Sequence, residues 1–268
     1  MRINTNLNAM IATNQMTKNT ALAGNSMEKL STGLRITKAG DDAAGLAVSE
    51  KMRAQIRGME QAERNVQDGI SMVQTAEGAL EEAGNIAQRM RELGVQAGND
   101  TLSDEDRSKV KAELTQLQDE MSKIATETKF NGKALLNTLG TFKIQAGANK
   151  ETRDVVTADL SSIAKGISIS TLSTASNAQS LVESIDTALS SINEARSNLG
   201  AMQNRLEYTA ANLTTSTENL TAAESRIRDV DVAKEMVTLS KLNILNQASQ
   251  AMVSQAKQQP ESVSQLLR

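Results

Sequence analysis

An aliphatic residue stands at every seventh position from Ile185 onward: Ile185, Ile192, Leu199, Leu206, Leu213, Leu220 and Ile227, with Lys234 closing the series. Seven residues make two turns of an α-helix whose seam stays against a partner. At ~1.5 Å per residue the ladder is ~60 Å long, which no compact single core requires. The spacing therefore predicts extended helix-on-helix packing. A second ladder lies upstream at Met52, Met59, Val66, Val73, Leu80 and Ala87. Mostly small residues follow its members three positions on, at Ala62, Gly69, Ala76, Ala83 and Met90, and the downstream ladder repeats the design at Ala188, Ala195, Met202, Thr209, Ser216 and Ala223. Alternating large with small lets facing layers interdigitate, so the two ladders are expected to pack on each other. Gly69 inside a helix costs ~1 kcal/mol relative to alanine, and close packing is expected to offset it.

Capping residues set the helix limits. Asp41-Asp42 opens a helix over about 43–97, which Gly98-Asn99-Asp100 stops. Ser103, with Asp106 three residues on, caps a second helix over about 103–127 with Val110, Leu114, Leu117, Met121 and Ile124 as its apolar face. Asn131-Gly132 reads as a tight turn. Between about 130 and 175 the helical period disappears. Thr141 to Gln145 alternates like a strand and Asp154 to Thr157 returns, giving one small β-hairpin. Helix resumes over about 178–233. Asp41-Asp42 lacks the further oxygen ligands of a calcium loop, so capping is its expected role.

What the chain lacks prunes its chemistry. Phe130, Phe142 and Tyr208 are its only aromatics, and it has no Trp, Cys or His among 268 residues. Thin helix seams suit such a composition better than a thick core. Imidazole bases, thiolate nucleophiles, disulfides and ordinary zinc sites are excluded. No phosphate-binding loop or H-E-x-x-H motif occurs, so an enzyme is not expected, nor any cofactor. A formal net charge of -3 gives no reason to expect nucleic acid. No run of 18 apolar residues exists to span a membrane. Met1-Arg2-Ile3-Asn4 lacks the apolar core of a secretory signal peptide.

The two ends differ from the middle. Only Arg2 and Lys18 are charged before Met27, and charges are again sparse after Thr238. Aliphatics still recur at helical spacing: Ile3, Leu7, Met10 and Ile11 in front, Ile244, Leu245, Ala248 and Met252 behind. Such weakly charged stripes bury too little alone to repay ordering. They are expected to be disordered in a free copy and to fold against other copies. The expected organisation is a terminal helix within 1–40, a central helical region at 41–236 and a second terminal helix within 237–268. The expected fold class is mainly α: long antiparallel helices packed as a coiled-coil rod with a small β-hairpin, plus terminal helices that order on polymerisation.

Several long blocks carry a family resemblance. They are MRINTNLNAM from Met1, MEKLSTGLRITKAGDDAAGLAVSEKMRAQIRG from Met27, QDGISMVQTAEGALEE from Gln67, QRMREL from Gln88, FNGKALL from Phe130, LGAMQNRLEYTAANLTTSTENLTAAESRIRDVDVAKEM from Leu199, and ILNQASQAMVSQAKQQPESVSQLLR at the end. The chain resembles bacterial flagellins over about 1–147 and 181–268, without the long central insertion that gives many members outer domains. The resemblance implies a structural subunit that polymerises into the helical flagellar filament and transmits motor torque. It further implies export through the flagellar type III apparatus to the cell exterior, an export chaperone on the carboxyl-terminal region, and filament-cap and hook-junction proteins as neighbours. It also implies recognition by Toll-like receptor 5 of a host through Arg89, Leu93 and Glu113. A hook–filament junction protein, which shares related terminal helices, is the alternative.

Overall fold

A computed structural model describes residues 5–169 and 175–266, with side chains described from 176 and up to 258 in the second segment. The helices are α1 (Leu7–Thr32), α2 (Ala43–Ala97), α3 (Asp104–Glu127), α4 (Leu160–Gly166), α5 (Ala175–Arg228) and α6 (Val232–Leu266). Four short strands lie between α3 and α4: β1 (Lys129–Phe130), β2 (Lys133–Ala134), β3 (Gly140–Gln145) and β4 (Thr152–Thr157). The chain packs as two units, one from Met1–Ala54 with Asn219–Arg268, the other from Gln55–Glu218. The division falls within α2 and α5, not at the expected 40/41 and 236/237 limits.

In the Gln55–Glu218 unit, α2 and α5 run antiparallel. Arg91 Nε donates to Asp186 Oδ1 at 2.6 Å, Arg196 Nη2 lies 3.8 Å from Glu81 Oε2, and Thr214 Oγ1 donates to Glu63 Oε1 at 3.3 Å. Beyond the Arg91–Asp186 pair, Gly94 faces Leu181, Val182 and Ile185. The ladders supply the interior: Met59, Val66, Val73 and Leu80 on α2, and Ile185, Ile192, Leu199, Leu206 and Leu213 on α5, are buried. Each fully buried aliphatic contributes ~1.5–3 kcal/mol. Helix α3 adds Val110, Leu114 and Met121, with Ser103 capping it by accepting from Asp106 N. Buried Arg107 closes the end of α2, its Nε donating to Ala97 O at 3.3 Å and its Nη2 to Asn99 O at 3.2 Å. These donors satisfy carbonyls that a helix terminus leaves open.

The β region holds more than one hairpin. Strands β1 and β2 pair antiparallel around Asn131 and Gly132, both at positive φ (49° and 78°), as a two-residue hairpin turn of this sequence demands. Strands β3 and β4 pair antiparallel with Phe142 opposite Val155 and Ile144 opposite Arg153. Ile144 and Val155 are buried. A Cβ on Gly69 would collide with Ile144 Cδ1, so the missing side chain in the α2 ladder admits the hairpin. Helix α4 was not anticipated by the sequence reading. Its Asp159 cap accepts from Ser162 N at 2.9 Å, and Leu160, Ala164 and Ile167 are buried at helical spacing. Gln118 Nε2 donates to Ala164 O and Ile167 O and ties α4 to α3.

In the unit built from both chain ends, α1 packs on α6. The first turns of α2 follow a cap by Asp42, whose Oδ1 accepts from Gly45 N at 2.8 Å. Asp41 instead organises the preceding turn, its Oδ2 accepting from Thr37 N and Lys38 N at 3.1 Å each. One expectation is corrected here. The helix expected to reach about 233 ends at Arg228, and α6 begins anew at Val232 under an Asp231 cap that accepts from Lys234 N. The interruption has a nonlocal cause. Leu34 and Asp229 form an antiparallel bridge, Val230 N donates to Gly33 O at 3.0 Å, and Arg35 N donates to Arg228 O at 2.6 Å. Gly33 caps α1 at φ 72°, a left-handed conformation that glycine adopts without penalty.

Candidate assembly surface

The α1–α6 pair is built inside out. Its buried positions on α1 are Ala12, Asn19 and Ser26, seven apart, and those on α6 are Leu242 and Ser249, again seven apart. Four of these five side chains are small or polar. Most large apolar side chains lie outside the seam: Leu7, Met10, Ile11, Leu22 and Met27 on α1, and Val232, Met236, Val237, Ile244, Leu245 and Met252 on α6, are exposed, while Met16, Leu30, Leu239 and Val253 are half-buried. A surface helix of an ordinary globular protein turns its apolar stripe inward. This pair does the reverse.

Polar contacts hold the pair in register. Asn6 caps α1 by accepting from Ala9 N at 3.1 Å, and its Nδ2 donates to Ala256 O at 2.6 Å. Thr20 Oγ1 donates to Asn246 Oδ1 at 3.4 Å. Asn19 is 3% exposed and accepts from Gln15 Nε2. A buried amide in a helix seam restricts sliding at some cost in stability. At the other end of α1, Arg35 Nη2 donates to Ile227 O at 2.6 Å. Glu50 Oε1 accepts from Arg228 Nη1 at 2.6 Å, and this bond, ahead of the charges of Arg228 and Arg53, lowers the Glu50 carboxyl below its usual range.

Of the residues expected to drive self-association, Leu7, Ile11, Ile244, Leu245 and Met252 are exposed on the α1–α6 pair, and Ile3 lies outside the described residues. The seam residues Met52, Leu220 and Ile227 are half-buried, unlike the buried ladder members of the other unit. Sequence reading missed the Ala12, Asn19, Ser26 row. Its seven-residue spacing was visible, but small and polar side chains do not register as a hydrophobic repeat.

A second, charged face lies on α2 and α3. Arg89 is exposed, with Nη1 donating to Glu92 Oε2 and Nη2 to Glu113 Oε1, both at 3.1 Å. These two hydrogen bonds, Glu92 first, raise the Arg89 pKa further above its ordinary value. Leu93 was expected on the same face. The structure corrects this: Leu93 is 3% exposed and belongs to the packed interior. Its row on α2, with Met72 and half-buried Ile86, flanks the main ladder, so the buried arc is wider than one seam. Among the described residues no cluster of acidic side chains suits a metal ion, and no helix is long and apolar enough to cross a membrane.

The helical regions on either side of the short strands match a known family. The model for the bacterial flagellin N-terminal helical region covers residues 3–141, and that for the bacterial flagellin C-terminal helical region covers residues 182–267. The chain belongs to the bacterial flagellin family. Flagellin of Halalkalibacterium halodurans is 54% identical over 272 residues, covering 100% of both chains. Flagellin of Bacillus subtilis is 47% identical over 306 residues, again with 100% of both chains covered. The crystal structure of Bacillus cereus flagellin aligns with 60% of this chain and 94% of its own at a TM-score of 0.52 and 34% identity. This flagellin is a structural subunit of the flagellar filament, a polymer of its own kind that serves motility. Full-length identity to flagellins sets aside the junction-protein reading.

Proposed function

We propose that copies polymerise through the exposed aliphatic faces of α1 and α6, and that these helices become fully ordered only against their neighbours. The observation that carries the reading is the inverted pair: apart from Leu242 its buried residues are small or polar, and eleven large apolar side chains are exposed. Burying the exposed half of each contributes ~1 kcal/mol, on the order of 10 kcal/mol per subunit. Association costs about 4–15 kcal/mol. One contact is therefore marginal, whereas a subunit seated among several neighbours gains repeatedly. A head-to-tail contact that does not close on itself extends as an open helix, and this balance makes its growth cooperative.

The test is truncation. A chain lacking residues 1–32, and separately one lacking 237–268, is mixed with filament seeds at neutral pH and imaged. Neither truncation is expected to extend the seeds. Growth as ready as that of the intact chain overturns the reading. Narrow amide resonances from residues 7–27 and 237–256 in the monomer, broadening on assembly, are expected if ordering accompanies polymerisation.

Finer aspects belong to the same reading. The subunit is non-catalytic and needs no cofactor, works outside the cell, and passes the flagellar type III apparatus with a chaperone on its carboxyl-terminal region. Filament-cap and hook-junction proteins are its neighbours, and torque from the motor is carried along the polymer. Absence of His and Cys supports the non-catalytic role. Toll-like receptor 5 is proposed to contact the face formed by Arg89 and Glu113, with Leu93 supporting that face from beneath. Arg89→Ala is expected to lower receptor signalling by soluble monomer, and unchanged signalling disposes of the assignment.

A further inference from the structure

Methionine is unevenly placed between the two units. Met10, Met27, Met236 and Met252 are 58%, 57%, 54% and 55% exposed, and all four lie on the outward faces of α1 and α6. Met90 and Met121, in the other unit, are 0% exposed. The exposed four sit among aliphatics at helical spacing: Met10 three residues after Leu7, Met236 four after Val232, Met252 seven after Leu245. A thioether suits such a face because it is apolar and adapts to irregular surfaces. It is also the one group there that a mild oxidant can change.

We propose that Met10, Met27, Met236 and Met252 form a peroxide-sensitive modification site on the free subunit, and that their oxidation blocks polymerisation. The proposal rests on the reading of α1 and α6 as assembly faces. The oxidant is a hydroperoxide, with hydrogen peroxide the simplest. The thioether sulfur attacks one oxygen of hydrogen peroxide, the S–O bond forms as the O–O bond breaks, and the second oxygen leaves as hydroxide, which takes the proton from the transferred oxygen and becomes water. Sulfur is oxidised by two electrons and the peroxide is reduced by two. The product is a sulfoxide, a polar and chiral group in place of an apolar one. A copy docking onto that face must bury the new oxygen among Leu, Ile and Val side chains that offer no donor. Each such burial lowers the affinity of that contact at least about tenfold. Once docked, the same neighbours shield the sulfurs, so the polymer resists the reagent that disables the monomer.

The experiment treats full-length monomer and preformed filaments with hydrogen peroxide, removes the reagent, and maps added oxygen by peptide mass spectrometry. Seeded elongation is then followed by light scattering. Met10, Met27, Met236 and Met252 are expected to oxidise in the monomer well before Met90 and Met121, and to remain reduced in filaments. Elongation by treated monomer is expected to fall at least about tenfold and to recover after incubation with methionine sulfoxide reductases. A variant with leucine at all four positions, which keeps the apolar face, is expected to elongate before and after treatment alike. Single Met→Leu variants, each removing part of the inhibition, serve if the fourfold variant fails to fold. Full elongation by monomer oxidised at the four positions overturns the proposal, as does equal inhibition of the leucine variants. If untreated monomer elongates normally while the four sulfurs oxidise as fast in filaments as in solution, the assembly-face reading fails instead.

Discussion

Gly69 offers a sharp test of why this helix tolerates glycine. Alanine is favoured over glycine inside a helix by ~1 kcal/mol, so Gly→Ala along α2 stabilises wherever the new methyl meets open space. Gly78 is such a position, with nothing within 4 Å of an added Cβ. At Gly69 the same methyl lands on Ile144 Cδ1 and comes within 3.3 Å of Cγ1 and 3.5 Å of Cγ2. Ile144 is 8% exposed and has little room to move. Overpacking of this kind costs about 1–3 kcal/mol, which cancels or reverses the helical gain. Gly78→Ala is therefore expected to stabilise by ~1 kcal/mol, while Gly69→Ala ranges from neutral to ~2 kcal/mol destabilising. Ile144→Val removes the colliding Cδ1 and alone costs ~0.5–1.5 kcal/mol. Combined with Gly69→Ala it lets the alanine methyl occupy the vacated space. The double variant is expected to be more stable than the sum of the single changes predicts, by ~1 kcal/mol or more. Urea titration of the four proteins by far-ultraviolet circular dichroism measures the cycle. Equal stabilisation by Gly69→Ala and Gly78→Ala, or an additive cycle, refutes the close approach of hairpin to helix.

Other outcomes follow from the same structure. Leu80→Ala and Ile192→Ala are each expected to cost ~2–5 kcal/mol in urea unfolding, and Leu220→Ala less because its site is half-buried. Ser103→Ala removes the cap of α3 and is expected to cost ~1 kcal/mol, with faster amide exchange confined to its first turn. Asp41 has its carboxyl held below the ordinary range by hydrogen bonds from the Lys38 and Thr37 backbone. A depressed folded-state pKa gives stability that is present above the unfolded-state value of ~3.9 and lost as pH falls through the folded one. Asp41→Asn is therefore expected to be less stable than the native chain at neutral pH. The gap should close in acid below the usual carboxylate range, measured by thermal unfolding against pH.

Much of the fold was legible because helix periodicity and capping are local. Asp42 and Ser103 mark the starts of α2 and α3, Asn131-Gly132 marks a hairpin turn, and the seven-residue rows mark the buried sides of α2 and α5. Helix α4 was not legible, because its Asp159 cap with Leu160 and Ala164 spans only seven residues and makes a weak periodic signal. The site was legible only in part. A stripe of aliphatics at the ends announced unsatisfied surface, yet did not say which side of each terminal helix would meet the other.

Those choices belong to tertiary structure. The α1–α6 pair closes on Ala12, Asn19, Ser26, Leu242 and Ser249, so the greasier faces are the ones left to solvent. Helix α5 stops at Arg228 because its next residues pair with the Gly33–Arg35 connector, nearly two hundred positions away. Leu93 is drawn inward because α2 is covered over a broad arc. The amino-acid sequence by itself determined where helices run and which of their rows are apolar, since both depend on neighbours within a turn or two. Which row finds a partner in the same chain, and which remains for another copy, is a competition among distant surfaces that local periodicity does not encode.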